Sequence, residues 1–551
     1  MNRLIITLAL FVFVVSVAPR AQRPVVPPRD AKTTKTVTAS IKGRVTAADT
    51  GAPLRRARLM LSATALDRPL YTATDAQGRY EFTDLPAGRY TLEASKSAYV
   101  TLQYGQRRAF EAGKPIELAD GVALEKMDIA LPRGCVISGT VVDDLGEPVA
   151  LVRVTAFRSR YQEGKRKLSA TGRDVETNDL GQYRLFGLQP GTYFVGTRPT
   201  PGPSMDGYPF APSYYPGTLN PGEAQRVVLR LGQERGGVDF VQPPGRLARL
   251  SGTVIDSTGR PLANARVSIV NPGTGYVIST PVEPDGSFSL QNIAPGEYGL
   301  AAVLLGPRAG DVEQAMVQVT VTGEDVGGLV LQMTHGCRLL GHVVADDGSA
   351  PALSASGVRV YPFPVVSDSP LSIQNIGTQG IVKDDWSFEM NGIGGTMLFR
   401  PSGLPAGYML KSVLLDRRDI TDLPVDIKGP EDITGLQVVI TSQVTEVAGA
   451  GSDAKGQPVL EYATVIFADD AARWKYPSRF IATARPDQHG RFKISNLPPG
   501  RYLAVALEYL EEGQWEDPDY LEALRPVATM FTLSAGETKT LALKVTRPDG
   551  T

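Results

Sequence analysis

Histidine and cysteine are close to absent: the 551 residues contain three of the first and two of the second. That scarcity weighs against chemistry needing several of them at one point, such as structural zinc, a metallopeptidase centre or a disulfide-stapled scaffold. None of His335, His342 and His489 stands in an H-E-x-x-H arrangement, and no G-x-S-x-G nucleophile elbow occurs. An excess of one charge is missing too. Lys and Arg number 57 against 58 Asp and Glu, a formal net charge of −1, which offers nucleic acid no overall attraction. No segment beyond the N-terminus is apolar enough to span a bilayer, and none in the body of the chain sustains a helical period.

What is abundant is the vocabulary of turns, 57 glycines and 42 prolines. They sit in a phrase written four times: "DAQGRYEFTDLPAGRYTL" at 75–92, "DLGQYRLFGLQPGTYFV" at 179–195, "PDGSFSLQNIAPGEYGL" at 284–300 and "DQHGRFKISNLPPGRYLAV" at 487–505. In each, an Asp closes a turn, a Gly takes positive φ, and an aromatic opens a strand of period two. Tyr80 with Phe82, Phe288 with Leu290 and Phe492 with Ile494 face one side. A Pro-Gly step then reverses the chain into Tyr90, Tyr193, Tyr298 or Tyr502, which are expected to bury their rings while the hydroxyl bonds nearby backbone.

Each unit opens on an apolar-x-Gly-x-Val strand around Gly43, Gly139, Gly252 or Gly341, with Gly449 in the corresponding place in the last, and closes on what reads as a hairpin. About seven short strands per unit, spaced by turn signals, predict an all-β chain: a tandem array of about five seven-stranded antiparallel β-sandwiches forming a rod. The boundaries read as 37–133, 134–245, 246–335, 336–442 (degenerate) and 443–548. In the fourth unit Trp386 replaces the turn glycine and Met397 the tyrosine. Ahead of the array, "LIITLALFVFVVSVA" after Met1-Asn2-Arg3 reads as a signal peptide over 1–21, and 22–36 as a disordered linker.

The stretch "LSGTVIDSTGRPLANARVSIV…DGSFSLQNIAPGEYGL" resembles the carboxypeptidase regulatory-like domain, a transthyretin-like sandwich of bacterial secreted proteins. The resemblance implies a non-catalytic module. It also extends to the carbohydrate-binding-like sandwiches, which makes glycan binding a family-level expectation. No cofactor and no metal site is expected. The "HGCRLLGH" stretch at 335–342 reads as a domain-entry strand, Asp143-Asp144 and Asp346-Asp347 as turns, and Cys135 and Cys337 as two separate buried thiols.

Candidate binding residues are the aromatics of the variable segments: Tyr208, Phe210, Tyr214 and Tyr215 in unit two, Tyr99 and Tyr104 in unit one, and Trp515 and Tyr520 in unit five. Such rings stack on sugars or anchor interfaces, or else cover an edge of their own sandwich. Of Tyr214 and Tyr215, at most one is expected to pack inward. A basic hairpin (153–173) and an acidic one (508–522) read as solvated tips, with anionic-polymer binding or contact between copies as the alternative. The expectation is an exported, non-enzymatic binding or display protein, periplasmic, secreted or at the cell surface. Its partner would be a polysaccharide or an envelope protein. The alternative is a structural spacer or protein-interaction scaffold, and an enzyme ranks third.

Overall fold

The structure is a computed structural model that describes residues 39–162, 164–198, 212–243, 247–270, 277–305, 312–365, 379–427 and 431–547. The proposed signal peptide and linker lie outside them, as do Tyr208 and Phe210. The protein is all-β, a series of five sandwiches each with its own apolar core.

The third sandwich shows how the sequence builds the unit. Its opening strand Ala248–Ile255 pairs antiparallel with Ser287–Ile293 and parallel with Val326–Gln332. The facing sheet runs Val277–Pro281, Arg266–Val270, Gly296–Leu305, Val312–Val321 and Thr334–His335. Alternation sends Leu250, Val254, Phe288 and Leu290 into the core between the sheets.

The parallel pair corrects the expected closing hairpin. In the first four sandwiches the two closing segments lie in opposite sheets, and in the fifth the last strand, Thr538–Thr546, also pairs with Gly500–Leu507 and so joins the two sheets; in all five the last strand returns alongside the first in the same direction. Period-two alternation reports which side chains face inward but carries no information about strand direction, so the sequence pattern could not distinguish the two.

The opening-strand glycine makes this crossing possible. A Cβ built at Gly43, Gly139, Gly252, Gly341 or Gly449 would lie under 3.0 Å from a closing-strand carbonyl oxygen, that of Met127, Val238, Leu329, Leu436 or Leu541. Directly across the antiparallel pair from each glycine sits an aromatic: Tyr80, Tyr183, Phe288, Phe388 and Phe492. At Gly43, Gly341 and Gly449 that aromatic side chain also stands under 3.0 Å from where the Cβ would lie. Tyr80 and Tyr183 also donate their hydroxyls to the Met127 and Val238 carbonyls, the second at 2.6 Å.

The corner tyrosines behave as the sequence implies. Tyr90, Tyr193, Tyr298 and Tyr502 are buried and donate to the carbonyls of Pro86, Gln189, Ala294 and Pro498, at 2.6, 2.7, 2.9 and 2.6 Å. In the turns before them, Asp75 and Asp487 accept two backbone N–H groups each. In unit two that role falls to Asn178, one residue before the expected Asp179, because the turn needs its acceptor three residues ahead of Gly181. In unit four Trp386 holds the left-handed conformation (φ 64°) with its ring buried in the core, and the Gly341–Phe388 register is the same as elsewhere.

One further difference concerns unit five. A short helix, Pro518–Leu524, is capped by the Asp517 side chain and buries Leu521 and Leu524. It replaces the expected acidic hairpin and is too short to produce a detectable period. Cys135 and Cys337 are both free and buried in separate cores.

Because sandwich three buries its own core, the fragment 246–335 is expected to unfold cooperatively in urea. Within it, Gly252→Ala should cost about 1–3 kcal/mol from the forced clash, and Tyr298→Ala about 3–5 kcal/mol. Losses below about 0.5 kcal/mol for both would show that neither the crossing nor the corner constrains the fold.

Candidate functional site

The sandwiches do not form a rod. Sandwich five docks against sandwiches one and two, and the contact is built from the segments that vary most between units. From sandwich one comes the segment after Leu102–Gln103. Its Ala109 carbonyl accepts the Tyr509 hydroxyl at 2.7 Å, and its Phe110 carbonyl accepts the Glu512 N–H at 3.0 Å. The Phe110 N–H donates to Gln189 Oε1 of sandwich two at 2.8 Å. The Phe110 ring sits edge-on to Tyr193 and so close to Gly191 that a Cβ there would lie 2.8 Å from it.

The basic and acidic segments meet here, which corrects their reading as solvated tips. Arg158 Nη2 pairs with Glu511 at 2.8 Å and Arg166 Nη2 with Asp517 at 3.4 Å. Arg158 is buried, and its guanidinium lies 3.1 Å from the centre of the Phe110 ring. Beside it a second cluster joins sandwiches one and five. Arg485 pairs with Glu111 at 3.2 Å and with Glu461 at 3.3 Å, and Glu461 also takes Lys114 at 2.9 Å. Arg485 and Glu111 are 6% and 3% exposed, so these charges have left water for one another.

Two cavities open at this junction, and Ala109 and Pro190 line both. The first, of about 650 Å³, has an apolar floor including Val100, Leu102 and Ile129, with Tyr104 and the amides of Gln103, Gln106 and Gln189 around it. The second, of about 800 Å³, lies between sandwiches two and five and is lined by Arg158, Arg160, Arg226, Tyr161, Tyr509 and Tyr520, among others. Burial pushes the Tyr509 and Tyr520 hydroxyls up to about 12, so both stay protonated donors at neutral pH.

Of the aromatics singled out in the sequence, Tyr104 and Tyr520 reach these cavities. Tyr214 is buried against Phe157, 5.8 Å between ring centres, and Tyr215 also packs on the core of sandwich two, so both of the pair turn inward. Tyr99 lies against the first core under Arg133, and Trp515 against the fifth. Phe110, Arg158, Glu111, Glu461 and Arg485 carry the junction without any sequence pattern marking them. The one available signal was the complementary charge of 153–173 and 508–522.

For chemistry the arrangement offers donors, acceptors and aromatic faces. Among the described residues no group of three His, Cys, Asp or Glu side chains is placed to hold a metal ion. The Asp143, Asp347 and Asp385 carboxylates accept turn N–H groups instead.

Removing one partner of a buried ion pair strands the other, a loss of about 3–5 kcal/mol. Arg485→Met is therefore expected to release sandwich five from sandwich one, seen as a larger radius of gyration by small-angle X-ray scattering with an unchanged circular dichroism spectrum. An unchanged radius would mean that the ion cluster does not hold the junction.

Residues 40–132 and 249–334 match the carboxypeptidase regulatory-like domain, a non-catalytic domain type. No curated protein matches the sequence. Among solved structures, a streptococcal ancillary pilin is 13% identical, with 54% of this chain and 98% of that one covered at a TM-score of 0.20. The Bacillus anthracis TIE protein is 13% identical over 72% and 68%, at 0.15. GBS52, the minor pilin of Streptococcus agalactiae, is 14% identical over 38% and 96%, at 0.21. The matched residues contain the glycine crossing and tyrosine corner described above: sandwiches one and three of this chain are carboxypeptidase regulatory-like domains.

Proposed function

We propose that the protein is an exported, non-catalytic binding and display protein of the cell envelope whose ligand is a polysaccharide. The observation that carries this reading is the cavity beside Tyr104, where an aromatic ring, three glutamine amides and an apolar floor come together. A ring face with amide donors and acceptors at its edge suits a sugar, which presents C–H groups on one face and hydroxyls around its rim. Backbone hydrogen bonds on both sides fix Tyr104 in place: its N–H donates to the Leu92 carbonyl at 2.8 Å, and its carbonyl accepts the Lys114 N–H at 2.7 Å. A preformed ring costs a ligand little ordering on binding.

The second reading, a spacer or protein-interaction scaffold, draws support from Tyr214, Tyr215, Tyr99 and Trp515, which all pack on their own sandwiches. The two readings separate on a carbohydrate array probed with the full chain and with Tyr104→Ala. Polysaccharide binding that falls about tenfold in the variant, the scale of a lost anchor residue, supports the first. Retention of no glycan by the unsubstituted chain would leave the scaffold reading.

A further inference from the structure

We propose that the larger cavity, between sandwiches two and five, is an oxyanion subsite centred on Arg158 that takes the carboxylate or sulfate of an acidic polysaccharide. The inference rests on the polysaccharide reading above and names the class of polymer.

Arg158 is the observation that carries it. The residue lies on the strand Arg153–Gln162, lines the cavity and is 6% exposed. One nitrogen, Nη2, is paired with Glu511, while buried Nε and Nη1 have no hydrogen-bond partner. A guanidinium has five N–H donors and no acceptor, so those two nitrogens require oxygen acceptors. Phe110 covers the guanidinium face but supplies no oxygen. Burial is also the largest influence on the group and pulls its pKa down, against the pull of Glu511. With Nε and Nη1 unpaired, the guanidinium is under-satisfied in the closed junction, and an oxygen acceptor is what the site lacks.

The surroundings suit an anionic group on a polyhydroxyl body better than a bare ion. Arg160 and Arg226 add positive charge, Arg166 and Asp517 line the cavity as an ion pair, and the Tyr520 hydroxyl is buried without a partner. Glu512 and Asp519, both exposed, add carboxylates that accept from hydroxyls. A volume of about 800 Å³ admits a short oligosaccharide. Glu511 already occupies one nitrogen of Arg158, so it competes with any incoming anion.

That competition gives a test with two variants of opposite sign. The full chain is titrated calorimetrically with a uronic-acid oligosaccharide, with its carboxyl-reduced neutral counterpart and with inorganic sulfate. The acidic oligosaccharide is expected to bind at least about tenfold more tightly than the neutral one, as one charge-assisted contact provides. Arg158→Gln should lose that preference, and Glu511→Gln should raise affinity for the acidic form several-fold. Equal losses in both variants would show Arg158 and Glu511 to be only a structural clasp, and would overturn the proposal. Equal binding of the acidic and neutral oligosaccharides would also overturn it, while leaving polysaccharide binding in place. Sulfate binding without oligosaccharide binding would keep the oxyanion subsite and remove the polysaccharide. If nothing binds, both readings fall. Should Arg158→Gln fail to fold, Glu511→Gln and the ligand comparison on the unsubstituted chain still decide.

Discussion

The structure depends on a close approach between two backbones. In each sandwich the closing strand returns parallel to the opening one, and its carbonyl oxygen occupies the space that a Cβ on the opening strand would need. Only glycine fits there, and the other repeated features follow from it. Directly across from the glycine, the neighbouring antiparallel strand supplies an aromatic that covers the bare backbone. To place that aromatic, the preceding turn must end in fixed register, which the Asp or Asn acceptor and the left-handed residue achieve. In the third and fourth sandwiches the parallel pair slips register beside the glycine, so the two strands meet on either side of a local irregularity. The aromatic, the turn and the slip all serve the same steric requirement.

A scaffold held by such local rules leaves the remaining segments free to diverge, and three of them meet. The segment around Phe110, the hairpin of sandwich two and the helical insert of sandwich five bring together groups 400 residues apart, as in the Tyr509–Ala109 hydrogen bond. Burying the junction's ions is costly, and a well-packed apolar contact would hold the sandwiches at least as firmly. What the charges add is selectivity of pairing. Five similar units could dock in many combinations, and complementary charge at this junction rewards one of them.

How much of this was legible in the sequence depends on the range of the contact. The corner tyrosine bonds four residues back, and the turn acceptor bonds two and four residues on, so both are visible in the repeated phrase. Strand direction is not written in an alternating pattern, and the parallel closure could only be found in space. The helix Pro518–Leu524 is too short for a period, although "DPD" does supply its cap and first turn. Trp386 at the turn position and Asn178 beside Asp179 show the opposite case, in which the conformation is kept and the residue type changes. The junction lay beyond reach because Glu111, Arg158 and Arg485 resemble any surface charges until the sandwiches are docked. Only the paired excess of basic and acidic residues hinted at it.

A site lined by residues of two or three sandwiches exists only while they are docked, so binding and docking are linked. Any ligand that prefers the closed junction stabilises it, and whatever strengthens the junction tightens the ligand, by the same free energy. Arg158 stands at the centre of that linkage because it serves both partners: Glu511 holds it for docking, and its remaining donors are left for a ligand. The two roles compete through the negative charge of Glu511 and not for the same nitrogen. A ligand oxygen on Nη1 leaves the Nη2–Glu511 contact intact and relieves an unsatisfied buried donor, so it lowers the cost of the docked state. By that argument the closed arrangement is the form that a bound anion would select, and the three arms of the junction would be held most firmly when the cavity between them is filled.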